Sequence, residues 1–298
     1  MMSTAAPRTM YGCSTRRSRT LDLLSAFTEV EMKLISKSAI VTGGGQGIGL
    51  EIARDLMSRG SNVLLFGRTA AKVAAAAEEL NRAAGGTARA LPFAGDASRA
   101  EDVSRAVEAA TSAFGLPGIL VNNAGIATLA LLTDLPEEDF DSVLDTNLKG
   151  PFLFMKAVAR GLIAAKQPGA FVNISSINQV LPTDGLSHYC ASKAALAQLT
   201  KGAASELGRH GIRVNVVAPG LTRTPLVDGI GLTAGLSAQR FLERTPLGRI
   251  GETTDVAPVV SFLCSEESRW ITGDTVFVDG GNNLRGLHSY WDTLNASL

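Results

Sequence analysis

This chain is poor in thiols, imidazoles and the larger aromatics. Its 298 residues include three cysteines, three histidines, three tyrosines and two tryptophans. Cys13, Cys190 and Cys264 are odd in number and far apart, with no CxxC pair. Neither a disulfide framework nor a cysteine-ligated zinc is expected, and a reducing, cytoplasmic compartment fits. His188, His210 and His288 have no metal-like spacing and read as non-ligands, so no metal is expected. Net charge is missing too: 28 Lys plus Arg balance 28 Asp plus Glu. That removes the electrostatic reason to expect nucleic acid or an anionic membrane as partner. No apolar run reaches the ~18 residues of a membrane-spanning helix.

What remains is a soluble globular composition, 45% hydrophobic and 19% charged. The first 31 residues are rich in Ser, Thr and Arg, with no acid before Asp22. They read as a disordered extension, or as preceding a true start at Met32, in preference to a transit peptide. From Ser38 short apolar runs alternate with longer helical ones. Strands are predicted at 38–42, 62–66, within ALPFAGD, and at 118–123, 170–175, 212–218 and 275–279. Helices are predicted after the first strand, over 70–83, up to about Phe114, from Asp134 or Pro136 toward Ala165, and through Tyr189 to about Arg209. Apolar strands without alternation are buried on both faces. Strands alternating with helices predict an α/β fold with a parallel, doubly wound sheet. One domain over 32–281 is expected, followed by a tail over 282–298.

The turn TGGGQGIG, Thr42 to Gly49, lies between the first strand and the first helix. Gly43, Gly47 and Gly49 give the spacing GxxxGxG. Glycines permit a tight turn and close backbone approach. The helix N-terminus offers unpaired N–H groups to a pyrophosphate. That is the strand–turn–helix context of a dinucleotide site. At the end of the second strand an acid would accept from an adenosine ribose and favour NAD. Here Phe66, Gly67, Arg68 and Thr69 stand instead. Arg68 can hold a 2′-phosphate, so NADP(H) is preferred, with NAD(H) still possible. Gln46 adds no second positive charge in the turn.

Tyr189 and Lys193, in SHYCASKAAL, are four apart on a predicted helix and share a face. A phenol beside an ammonium is either ordinary packing or an acid–base device. A nearby ammonium would lower the phenol's pKa from ~10.

Together these pieces resemble the short-chain dehydrogenase/reductase family, over about Lys37 to Gly281. The matching motifs are TGGGQGIG, Gly95–Asp96, NNAG (122–125), Asn147 in DTNLKG, Ser176 in NISS, YCASK (189–193), Pro219–Gly220 and VDGG (278–281). The resemblance implies a single-domain, Rossmann-type, seven-stranded sheet with helices on both faces. It implies hydride transfer between nicotinamide and a small-molecule alcohol or carbonyl, and a homo-oligomer (dimer or tetramer) built on the long fourth helix and the Tyr–Lys helix. By motif, Asn147, Ser176, Tyr189 and Lys193 would form the catalytic tetrad, with Ser175 structural. Ile48, Asp96, Ala97, Asn123, Ala124, Gly125, Pro219, Gly220, Thr222 and Thr224 would join the glycine turn along the cofactor. Thr222 departs from the usual Ile or Val. Asn178 and Gln179, with Ser176 and Tyr189, are candidate substrate contacts, and their amides hint at a sugar or polyol; a 3-oxoacyl thioester or a hydrophobic ketone stays open. The glycine-rich stretch Leu221 to Gly251 is expected to cover the site. An idle NADP(H)-binding regulator is the competing reading.

Overall fold

The computed structural model describes residues 1, 32–229 and 232–286. The expected N-terminal extension beyond residue 1, the expected tail beyond residue 286, Cys13 and His288 lie outside the described residues.

Seven parallel strands form one sheet in the order β3-β2-β1-β4-β5-β6-β7. They are β1 (Ser38–Thr42), β2 (Asn62–Gly67), β3 (Ala90–Ala94), β4 (Ile119–Asn122), β5 (Gly169–Ile174), β6 (Ile212–Pro219) and β7 (Thr275–Val278). Every residue of β1, β4, β5 and β6 is buried, as strands covered on both faces require. β3 is an edge strand, where Pro92 can lack an N–H without breaking a ladder on both sides.

Side chains alternate between two cores. Ala39 and Val41 point into one, and Ile40 into the other. The first core is closed by α1 (Gly47–Ser58), α2 (Ala70–Ala84) and the helix Thr253–Leu263, here α9. The second is closed by α3 (Ala100–Phe114), α5 (Gly150–Ala165) and α6 (Ser187–Leu207). Phe66 meets Phe154 of α5 edge-on at 5.0 Å between ring centroids. Truncating a side chain buried like Phe154 costs about 3–5 kcal/mol.

The long helix expected from Asp134 or Pro136 is interrupted. It runs as α4 (Glu137–Leu144), a π turn over Asp145–Lys149, and then α5. The stretch after β6, for which no helix is predicted, contains α7 (Pro225–Gly229), α8 (Gly235–Arg244) and α9. α9 opens on a reciprocal capping box between Glu252 and Asp255. Arg249 binds Asp255 at 2.6 Å and holds its carboxyl down at about 2. Pro258 inside α9 hides this helix from pattern reading. Beyond Gly281, Asn282 is buried in a short 3-10 turn and faces Thr245.

Candidate active site

The strand order reverses between β1 and β4, and a crevice opens at the carboxyl ends of those strands, as in other open parallel sheets. Two adjoining cavities fill it, of about 330 Å³ and 200 Å³, and both touch Gly43, Gln46, Ala124 and Gly125. The larger also reaches Gly47, Ile48 and Asn123. The smaller runs past Arg68 to Asp96 and Ala97.

The glycine turn and the NNAG segment are stitched together by one hydroxyl. Thr42 Oγ1 accepts from the backbone N–H of Asn123 at 3.0 Å and of Ala124 at 2.9 Å. The Asn123 amide donates to Thr42 O at 3.0 Å. Gly49 is packed against this join: a Cβ there would run into Asn123 Nδ2 and Gly43 O, closer than real Cβ atoms come. Gly49 therefore shapes the turn from beneath, where the sequence placed it along the cofactor.

The crevice fits a dinucleotide. The α1 N-terminus at Gln46 carries no side-chain cap, and its first turn has no acid, so its N–H groups and positive dipole are open to an anion. The glycine turn would hold the pyrophosphate, Arg68, Asp96 and Ala97 the adenosine end, and the larger cavity the nicotinamide end. When bound, the nicotinamide supplies or accepts a hydride.

Ser176, Tyr189 and Lys193 all line the larger cavity. Ser176 follows β5 and caps the 3-10 turn Ile177–Gln179. The Lys193 ammonium sits 5.6 Å from the Tyr189 ring centroid and donates to Ile174 O at 2.9 Å. Helical spacing thus brings the two side chains together, but their titration departs from expectation. Burial pushes the Tyr189 phenol up to about 12, offset in part by the Ser176 hydroxyl facing it. Burial pushes Lys193 down to about 8. In the protein alone, desolvation raises the phenol, which stays protonated at neutral pH and able to donate. Ser175 also borders this cavity, with its hydroxyl donating to Lys193 O at 3.1 Å.

Asn147 is fully buried inside the π turn and does not line the crevice. Its Oδ1 accepts from Ile126 N at 2.9 Å, and its Nδ2 donates to Ile126 O at 3.0 Å and Ser192 Oγ at 3.1 Å. The π turn thus carries a polar side chain that satisfies backbone groups of the neighbouring loop; such bulges gather at functional sites. Gly125 lies between Asn147 Oδ1 and Lys193 Nζ: a Cβ there would be 3.3 Å and 3.4 Å from them.

Asn178 and Gln179 do not line either cavity. Asn178 accepts from Ser176 Oγ at 3.1 Å and donates to Leu181 O at 3.2 Å and Thr183 Oγ1 at 2.9 Å. Its carboxamide holds the serine loop, set back from the cavity that the sequence reading assigned it to. Gln179 Oε1 is buried without a partner. His188 is buried, its Nε2 2.8 Å from Thr128 Oγ1, and burial lowers its pKa.

Pro219, Gly220, Thr222 and Thr224 border the larger cavity. Thr222 is buried, and its hydroxyl donates to Gly220 O at 3.1 Å. The base of the 221–251 stretch is clasped: Gly251 N donates to Leu221 O at 2.9 Å, and Arg223 N to Gly251 O at 2.8 Å. Among the described residues no cluster of His, Cys, Asp or Glu could hold a metal ion, and no helix is long and apolar enough to cross a membrane.

Fold and crevice define a dinucleotide-binding α/β protein of the Rossmann class. Comparison with known proteins narrows this. A family profile described as Enoyl-(Acyl carrier protein) reductase matches residues 43–283. The chain is 38% identical over 248 residues to the 3-oxoacyl-(acyl-carrier-protein) reductase FabG of Staphylococcus epidermidis, covering 83% of this chain and 99% of that one. It is 38% identical over 249 residues to the protein of the same name from Chlamydia muridarum, covering 83% and 98%. A short-chain type dehydrogenase/reductase from Mycobacterium ulcerans superposes with a TM-score of 0.83 at 34% identity, covering 89% of this chain and 96% of that one. A gluconate 5-dehydrogenase from Burkholderia cenocepacia, solved with NADP and tartrate, superposes with a TM-score of 0.79 at 33% identity, covering 85% and 98%. The chain belongs to the short-chain dehydrogenase/reductase family. It is an NAD(P)-dependent oxidoreductase of that family, acting between CH–OH and carbonyl.

Proposed function

We propose that this protein is an NADP(H)-preferring oxidoreductase that interconverts a ketone and a secondary alcohol, with Tyr189 as the general acid and base. One observation carries the reading: Ser176, Tyr189 and Lys193 open into the same cavity as the glycine turn. Tyr189 gives its proton to the carbonyl oxygen in reduction and takes it back in oxidation. Ser176, anchored by Asn178, orients that oxygen and stabilises its developing charge. Lys193 stands beside the phenol to replace its proton. Asn147 acts at one remove, by fixing the loop at Ile126. Arg68 at the rim of the smaller cavity supports the NADP(H) preference, as does the NADP bound in the gluconate dehydrogenase structure.

Commitment of Asn178 to its own loop weakens a sugar or polyol substrate. Ile126, Pro225, Leu226 and Val227 give the cavity an apolar flank. With the two FabG relatives, this favours a 3-oxoacyl thioester as the first substrate to test. The catalytic domain is taken to span about 32–281, and free Cys190 and Cys264 suit the reducing cytoplasm. A homo-oligomer is supported by an apolar groove of about 470 Å³ between the π-turn region and α6, lined by Leu144, Leu148, Phe152, Ala195 and Leu199, with Phe152 exposed.

The test is NADPH and NADH oxidation by the purified protein against a panel of 3-oxoacyl thioesters, sugar ketones and simple ketones. Turnover with NADPH is expected, and Tyr189→Phe should lower kcat by at least ~10² while NADPH still binds. Undiminished turnover in that variant refutes the proton donor. NADPH binding with no turnover across the panel favours an idle regulator.

A further inference from the structure

The sequence offers only one cation, Arg68, at the adenosine end of the crevice. The fold brings a second. Lys72, in the first turn of α2, reaches back across the crevice rim and donates from Nζ to Gln46 Oε1 at 2.8 Å. Lys72, Gln46, Arg68 and Thr69 all line the 200 Å³ cavity.

This approach is built into the backbone. Gly45 faces the first turn of α2, and a Cβ there would stand 3.3 Å from the Lys72 Cβ and main-chain carbon and 3.3 Å from Val73 Cγ1. That is tighter than ordinary packing, so the third glycine of TGGG lets the helix come up against the turn. A side chain from α2 can then reach a loop residue 26 positions earlier.

The charge pattern is what an anion site needs. Arg68 and Lys72 are both exposed, and among the described residues neither makes an ion pair. Asp96 is the one acid lining the cavity, and its Oδ1 is occupied by the N–H of Ser98 at 2.9 Å and its hydroxyl at 2.8 Å. Lys72 rests on a neutral amide, so its charge is positioned without being neutralised. α2 also begins without a side-chain cap and without an acid in its first turn. Two uncompensated cations and an open helix N-terminus converge on one rim.

We propose that Lys72, held by Gln46, is the second cation of a 2′-phosphate site and a determinant of NADPH over NADH. Gln46 is then the residue that positions the missing positive charge, although it carries none itself. The inference rests on the NADP(H) preference proposed above.

The experiment measures dissociation constants for NADPH and NADH by fluorescence titration. The full-length protein is compared with its Lys72→Met, Lys72→Arg and Arg68→Met variants. Lys72 is solvent-exposed, so Lys72→Met should fold normally. Because the site is wet, the loss expected for NADPH is about fivefold, or ~1 kcal/mol, and NADH affinity should stay within about 1.5-fold. Lys72→Arg should keep most of the NADPH affinity, and added salt should weaken NADPH less in Lys72→Met than in the parent. If Lys72→Met weakens both nucleotides alike, or neither while Arg68→Met weakens NADPH, Lys72 is not part of the site and the NADP(H) reading stands. If the parent binds NADPH no better than NADH, the cofactor preference itself fails and this inference falls with it.

Discussion

Replacing Lys193 by methionine tests the electrostatics of the crevice without any substrate. Lys193 is 4% exposed, and burial brings its pKa from 10.5 to about 8. An unfolded lysine therefore holds a proton that the folded one releases between those two values. Within that window stability rises with pH, and below it the charged amine costs the fold its full penalty, ~3 kcal/mol. At pH 9.5 about 1.4 kcal/mol of that penalty remains. The stability of the parent relative to Lys193→Met should consequently improve by ~2 kcal/mol between pH 7 and pH 9.5. Loss of the bond to Ile174 O shifts the variant by a constant and leaves the slope alone. Burial also raises Cys190, and pushes Cys264 and Tyr189 up to about 12. Those groups lower stability at high pH in both proteins and cancel in the comparison. Urea denaturation of both proteins without nucleotide, at half-unit pH steps, gives the difference directly. A difference that stays flat within ~0.5 kcal/mol would show that the amine pays no desolvation cost, and the account of a protonated phenol beside a weakened base would go with it.

Three further outcomes follow from the geometry. Gly49→Ala should break the join between the glycine turn and Asn123, costing over ~2 kcal/mol in urea denaturation and abolishing nucleotide binding; a stable, NADPH-binding variant would contradict the packing. Asn147→Ala strands both backbone groups of Ile126, and a loss of about 3 kcal/mol is expected, with regularisation of the π turn visible in a crystal structure. Asn178→Ala should lower kcat several-fold and leave NADPH affinity unchanged, since it frees the Ser176 hydroxyl without touching the nucleotide crevice; a weaker NADPH affinity with normal kcat would show the opposite assignment.

The elements that were legible in the sequence are those fixed by local pattern. Buried runs such as Ala39–Val41 and Ile119–Val121 declare strands because nothing polar interrupts them. The glycine turn and the pairing of Tyr189 with Lys193 depend on short spacings, which a sequence displays directly. What escaped depends on contacts far along the chain. The π turn holds Asn147 against Ile126, 21 residues away, and an asparagine within a helix does not announce its partner. Lys72 joins the crevice only through the approach of α2 to Gly45. Asn178 looked available because its obligations to Leu181 and Thr183 arise from a loop whose path no periodicity describes. The rise of the Tyr189 phenol on burial was hidden for a related reason: spacing reports proximity, whereas desolvation depends on everything packed around the pair.

The clasp between Leu221 and Gly251 has a practical consequence. A segment whose two ends meet through a pair of backbone hydrogen bonds behaves as a detachable cassette. Doubling its length would cost only about 0.6 kcal/mol of closure entropy. Chimaeras that exchange this cassette between relatives should therefore retune what the pocket accepts, while Ser176, Tyr189 and Lys193, which lie outside it, keep their places.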